Sequence, residues 1–177
     1  MSSSVLSLTG DNVMKVRIGM LIVATALVGP VAQAGGGVYW ELGFVPMRFS
    51  GGGGSLTPDV AMLRIGYDFT KNFGAEVMTG TTVRSDSGFK VNSALGVYLK
   101  GKAEVAKGLE VFAKLGAVRT QLSVSGIGSA HDNDFSYAAG AQYHFTKSVY
   151  GQVDYASYYN KGGLKATGPS LSIGVSF

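Results

Sequence analysis

The chain has no cysteine, little charge and hardly any continuous apolar run. Without thiols it can carry neither a disulfide framework nor a thiolate metal site, and it can pass an oxidising compartment without mispairing. Charged residues make up 15% of the 177 residues, against roughly 25% in a typical soluble domain. The net charge is +4, but the lysines and arginines are scattered singly, so the basic stripe of a nucleic-acid-binding protein is missing and no nucleic acid is expected as a partner. What remains is apolar and aromatic: 46% hydrophobic residues, 11% aromatics and 27 glycines. That composition excludes a disordered polar chain, and the length suits one domain.

The one long apolar segment is N-terminal. Lys15 and Arg17 precede Ile18–Val31, and Ala32-Gln33-Ala34 follows. A basic start, a short apolar stretch and an A-x-A site are the marks of a secretory signal peptide. The segment falls short of the roughly 20 residues a helix needs to span a bilayer, and Gly29 and Pro30 break it. Residues 1–34 are therefore expected to be an N-terminal extension and a leader cleaved near Ala34, with Met14 the better start. Residues 35–177 are expected to form the working domain.

From Val38 onward the hydrophobic period is two. Leu171, Ile173, Val175 and Phe177 alternate with Ser170, Ser172, Gly174 and Ser176; Ala61, Leu63, Ile65, Tyr67 and Phe69 alternate with Met62, Arg64, Gly66 and Asp68. The same pattern recurs around Phe73–Gly80, Phe89–Lys100, Leu109–Gly116, Phe135–Phe145 and Val149–Tyr155, with a further strand at Trp40–Phe44. This is the half-buried strand signature. It predicts about eight strands of roughly 9–13 residues, the length of tilted membrane strands rather than of globular ones. Thr70-Lys71-Asn72 and Thr146-Lys147-Ser148 read as tight turns, inside a weak repeat of Tyr67–Asn72 in Tyr143–Ser148. Residues 50–58, 84–88, 123–134 and 160–168 read as loops, most of them long, glycine-rich and polar. Short turns at one end and long loops at the other are the pattern of outer-membrane barrels.

A water-soluble barrel shows the same alternation with its apolar phase inside. Here the polar phase is small (glycine, serine, alanine) and carries opposite charges at similar heights, as a narrow lumen requires. The apolar phase ends in aromatics: Tyr67, Phe69, Phe73, Tyr143, Phe145 and Phe177 near the turns, and Phe89, Phe135 and Tyr159 near the loops. Such girdles anchor a barrel at its two interfaces. The expected fold is all-β, an eight-stranded antiparallel up-and-down transmembrane β-barrel.

With the leader, the alternating strands, the Y-x-F-T turns and the ladder closing on Phe177, the chain resembles the small outer-membrane barrels of the OmpA-like and OmpX/Ail-like kind. That resemblance implies a place in the bacterial outer membrane among its lipids, lipopolysaccharide included. It also implies that the barrel-assembly machinery reads the last strand, here Leu171, Ile173, Val175 and Phe177, although Val175 stands where the strongest form of the signal has an aromatic. A structural or surface-interaction role, adhesin-like in its sharper version, follows, with an extracellular partner met by the loops.

Glu41, Arg64, Glu76, Lys114 and Asp154 share the inward phase at mid-height. An eight-stranded barrel is just wide enough for its own side chains to fill, and buried charges must be paired. The five are therefore expected to form a structural ion-pair network; the rival reading is a gated ion path. Two histidines offer the only catalytic alternative, a lipid A-modifying enzyme: His144 in the inward phase and His131 near Ser129 and Asp132. The His-x-Ser-Asn pattern of lipid A deacylases is absent, and the Asp132-Asn133-Asp134 run does not continue into a calcium loop. No enzyme activity, cofactor or metal is expected.

Overall fold

The computed structural model describes residues 37–124 and 128–177, with side chains for all of these except 122–124 and 128–131. The expected leader, residues 1–34, lies outside them. Strand β1 (Val38–Pro46) pauses at Met47 and continues as β2 (Arg48–Gly51); β3 (Gly54–Leu56) likewise leads into β4 (Asp59–Asp68). There follow β5 (Phe73–Arg84), β6 (Phe89–Ala106), β7 (Leu109–Val124), β8 (Gly128–His144), β9 (Val149–Lys161) and β10 (Leu164–Ser176). Each strand pairs antiparallel with its neighbour, and β1 pairs with β10 from Tyr39↔Ser176 to Phe44↔Leu171. With β1–β2 and β3–β4 each counted as one wall strand, this is a closed 8-stranded barrel. Closure gives every strand two neighbours, which a membrane demands because lipid offers no hydrogen bonds to a free edge.

The sequence repeat has a physical cause. In the first turn Phe69 N–H donates to Phe73 O (2.9 Å) while Thr70 Oγ1 accepts from Phe73 N (3.0 Å). In the third, Phe145 N–H donates to Val149 O (2.9 Å) and Thr146 Oγ1 accepts from Val149 N (2.9 Å). The threonine hydroxyl closes the same turn twice. Lys107-Gly108 makes the second, two-residue turn, with Gly108 at φ 75.

The loop end differs from expectation. Strand pairing runs to Val124↔Gly128 and to Lys161↔Leu164, so most of 123–134 and 160–168 is strand. Residues 48–56 are a hairpin turning at Gly52 (φ 58) and Gly53 (φ 87). Strands β6, β7 and β8 reach 18, 16 and 17 residues, longer than membrane thickness asks. Loss of the apolar alternation marked where the lipid ends, whereas the backbone ladder persists beyond it.

The outward phase is a continuous apolar belt. Leu99 and Leu171 are each 66% exposed, and Leu42, Ile65, Val77, Val97, Leu115, Val153 and Ile173 are also exposed. A patch of that size is untenable in water. Tyr67, Phe69, Phe73, Tyr143, Phe145 and Phe177 rim its turn end; Phe44, Phe135, Tyr137 and Tyr155 rim the other. Two aromatics expected in that rim are not there. Phe89 is buried inside the barrel against Phe49, with ring centroids 4.7 Å apart. A bulge between Val91 and Ser93 inserts one residue, so the side chains before it point to the opposite face from those after it. Tyr159 is half-buried because a bulge opposite Ala166/Thr167 inserts Tyr158 into the lumen, and its hydroxyl donates to Asp132 Oδ2 (2.9 Å).

Candidate functional site

The lumen has two storeys. Toward the turn end it is polar and charged; toward the loop end it is an apolar cluster that includes Val45, Met47, Phe49, Val60, Met62 and Met78.

The pleat places the lower storey. Glu41 on β1, Arg64 on β4, Glu76 on β5, Lys114 on β7 and Asp154 on β9 all occupy inward positions, and all are buried. The structure brings the five together. Arg64 is the hub: Nη1 lies 3.5 Å from Glu41, Nε 3.7 Å from Glu76 and Nη2 3.8 Å from Asp154. Its fork also donates to Ser172 Oγ (2.8 Å) and Ser170 Oγ (3.1 Å). Lys114 Nζ donates to Glu76 Oε2 at 2.6 Å and lies 3.8 Å from Glu41. Buried charges at such distances repay part of their desolvation only when every remaining lone pair is also met. Tyr39 and Tyr150 hydroxyls donate to Glu76 (3.2 Å) and Glu41 (2.9 Å), and Gln152 Nε2 donates to both Glu41 and Asp154 (3.1 Å each).

One ion was missing from the sequence-derived set. Lys100, 2% exposed, donates to Gln142 Oε1 (2.8 Å) and Gln152 Oε1 (3.3 Å) and lies 3.6 Å from Glu41. Its ammonium is held between the rings of Tyr39 (4.9 Å) and Phe112 (4.8 Å), an arrangement that favours a desolvated cation. With it, Arg64, Lys100 and Lys114 balance Glu41, Glu76 and Asp154. Lys100 sits in the inward phase of its strand, so the alternation could have found it.

Below this layer Lys102 Nζ donates to Asp68 (2.6 Å), and Gln142 Nε2 donates to Glu110 (2.6 Å). His144 lies at this mouth, with Nε2 3.1 Å from Gln142 Nε2 and 3.6 Å from Glu110, and its ring against Tyr150. No serine is among these contacts. The side chain of His131 lies outside the described residues, and its sequence neighbour Asp132 is engaged by Lys161 and Tyr159. Among the described residues no cluster of His, Cys, Asp or Glu could hold a metal ion. Between the storeys a cavity of about 10 Å³ touches Arg64, Glu76, Met78 and Tyr98, room for about one water.

At the loop end the strands are tied by carboxylates. Asp86 accepts from Thr57 N (2.8 Å), Asp132 accepts from Lys161 Nζ (3.1 Å), and Asp134 accepts from Asn160 N (2.5 Å). Arg84 pairs with Asp59 (2.5 Å). Among the described residues Arg48, Lys90, Arg119 and Lys165 are exposed basic side chains without an ion-pair partner.

The family model for the outer membrane protein beta-barrel domain matches residues 18–177. The chain belongs to this family. This outer-membrane barrel shares its fold with Ail of Yersinia pestis, solved in complex with the heparin analogue sucrose octasulfate, at 19% identity and a TM-score of 0.62, over 81% of this chain and 100% of that one. It shares it also with the N-terminal barrel domain of Pseudomonas aeruginosa OprF (15% identity, TM-score 0.64, 82% and 100% covered) and with the Neisserial surface protein NspA (17%, 0.60, 81% and 98%). No curated protein matches the sequence. The barrel therefore resides in a bacterial outer membrane and crosses it with strands.

Proposed function

We propose that this outer-membrane barrel is a non-catalytic surface protein that strengthens the membrane and offers its loop end to anionic polysaccharide. The observation that carries the reading is the filled lumen. Paired charges below and an apolar cluster above leave the outer surface and the strand extensions as the parts free to act. The unpaired Arg48, Lys90, Arg119 and Lys165 at the loop end supply positive charge, and Ail, of the same fold, was solved with a heparin analogue. The loop end faces outward and the turns face the periplasm. Lipopolysaccharide is the nearest anionic partner, and a host or surface polysaccharide is the extracellular one. Export uses the leader cleaved near Ala34, and Leu171, Ile173, Val175 and Phe177 serve as the strand read by the barrel-assembly machinery. The lumen ions act as structure.

The test is retention of the reconstituted barrel on immobilised heparin across a salt gradient. Retention at low salt that weakens as salt rises, and weakens further in Arg119→Ala/Lys165→Ala, is expected. Equal passage through heparin and blank columns would sink the polysaccharide reading.

A further inference from the structure

The hydrogen bonds of the β1–β10 seam can be followed from its ends. Phe177 N–H donates to Val38 O (2.9 Å), and on the other side of the strand Met47 N–H donates to Pro58 O (3.0 Å). N–H groups alternate sides along a strand, so even-numbered residues of β1 and β2 turn their backbone groups toward β10. The register is Phe44↔Leu171 at one point and Arg48↔Thr167 four residues on. Pro46 therefore faces Pro169, midway, at a position where each should donate to the other. Neither has an N–H. Both bonds of that pair are absent, and over about 13 Å of wall no N–H crosses the seam. Pro58 removes a third donor on the adjacent side, opposite Met47. By contrast the β7–β8 ladder is continuous from Leu109↔Tyr143 to Val124↔Gly128.

Contact rather than hydrogen bonding closes the gap. A Cβ on Gly168 would lie 2.7 Å from Pro46 O and 3.0 Å from a Val45 methyl. Either side of this step is apolar except for the Ser170 hydroxyl, which faces the lumen opposite Val45 and accepts from Arg64 Nη2 (3.1 Å). Outside, Phe44 and Leu171 adjoin it in the lipid-facing belt, and Pro169 is exposed. Inside lie Val45, Met47, Phe49, Val60 and Met62. Opening the wall here would break no ladder bond, which is true of no other stretch of the β1–β10 seam. Methionine is the apolar side chain best able to yield volume, with three rotatable bonds and a soft sulfur, and Met47, Met62 and Met78 are all buried in this storey.

We propose that the Pro46–Pro169 step is a lateral portal through which one unbranched aliphatic chain from the surrounding lipid layer enters the methionine-lined upper lumen. The chain displaces the methionine side chains and stops above Arg64, where the charged storey begins. Aliphatic rather than polar ligands are selected because the path is lined mainly by aliphatic and methionine side chains, and the hydroxyl at its inner edge, Ser170, is already engaged by Arg64 (3.1 Å).

The experiment uses the full barrel in phosphatidylcholine vesicles containing diazirine-bearing palmitic acid, irradiated and mapped by mass spectrometry. Adducts are expected on Met47, Met62 or Val60 as well as on the lipid-facing Phe44 and Leu171. Val45→Cys/Ser170→Cys places two cysteines at a non-hydrogen-bonded pair, where Cα atoms are about 4.5 Å apart and a disulfide fits; the chain has no other cysteine. Oxidation should abolish the lumen adducts and reduction restore them, with the belt adducts unchanged throughout. Pro46→Val/Pro169→Val, which returns both N–H donors, should lose the lumen adducts without a crosslink and decides the matter if the cysteine variant does not fold. Lumen adducts absent from the unmodified protein, or surviving in the variant barrels with the seam closed, would overturn the portal.

Discussion

Replacing Lys114 by methionine removes the 2.6 Å partner of Glu76 and leaves that carboxylate in a nearly dry interior. Arg64 Nε at 3.7 Å and the Tyr39 hydroxyl at 3.2 Å remain, while Glu76 Oε1 has no hydrogen bond even in the intact protein. Breaking one member of a buried pair costs about 3–5 kcal/mol; the surviving contacts place Lys114→Met near the lower end, at about 3 kcal/mol. For a chain of this size that is a drop of ~6–12 °C in the unfolding midpoint, at ~2–4 °C per kcal/mol. Glu76→Gln should cost a similar amount, because it strands the lysine. The double variant removes both charges and should lose about 2 kcal/mol less than the sum of the singles, the usual sign of two groups in one network. The assay is heat-modifiable mobility, in which folded and unfolded barrel separate on a gel after incubation in detergent at rising temperature. Midpoints unchanged in both single variants, or strictly additive in the double, would refute a stabilising network.

The upper storey gives a second contrast: Phe89→Ala removes a buried ring and should cost about 3–5 kcal/mol, while Phe73→Ala, 62% exposed on the belt, should stay within about 0.5 kcal/mol in the same assay. Glycine positions divide as sharply. A Cβ at Gly116 would sit 2.0 Å from Val97 O, whereas one at Gly101 meets nothing nearer than Phe73 at 3.7 Å, so Gly116→Ala should yield little folded barrel in refolding gels and Gly101→Ala a normal amount. At the loop end, bonds from Lys161 and Tyr159 hold the Asp132 carboxyl below its ordinary value of 3.8. A depressed carboxyl stabilises above its unfolded pKa and loses that contribution as pH falls through the folded one. Protease sensitivity of residues 158–164 should thus be flat from neutrality to about pH 5 and rise only in stronger acid; Asp132→Asn should show the raised sensitivity already at pH 7, and its absence there would remove Asp132 from the tie.

Alternation tells inside from outside only where the two sides differ. That condition holds in the lower storey, where Glu41, Arg64, Glu76, Lys114 and Asp154 oppose Leu42, Ile65, Val77, Leu115 and Val153, and there the phase and the network were legible from the residues. It fails in the upper storey. Val45, Met47 and Phe49 follow Phe44 with apolar groups on both faces, and Phe89-Lys90-Val91 reads as an outward run because nothing in its composition announces the extra residue at Asn92. Bulges arise from backbone pairing with a neighbouring strand, which a single sequence does not display. The strand ends were misplaced for a related reason: above the belt both faces are polar, so hydrophobicity stops while the ladder continues. The same consideration explains why the Pro46–Pro169 step went unread. A proline in a strand is unremarkable alone, and its consequence depends on which residue the register sets opposite it, a fact of closure rather than of either strand. Since the lower storey is held by ions that cannot leave and the upper one by apolar contacts that can rearrange, any movement of this wall should begin above Arg64, at the seam where two donors are missing.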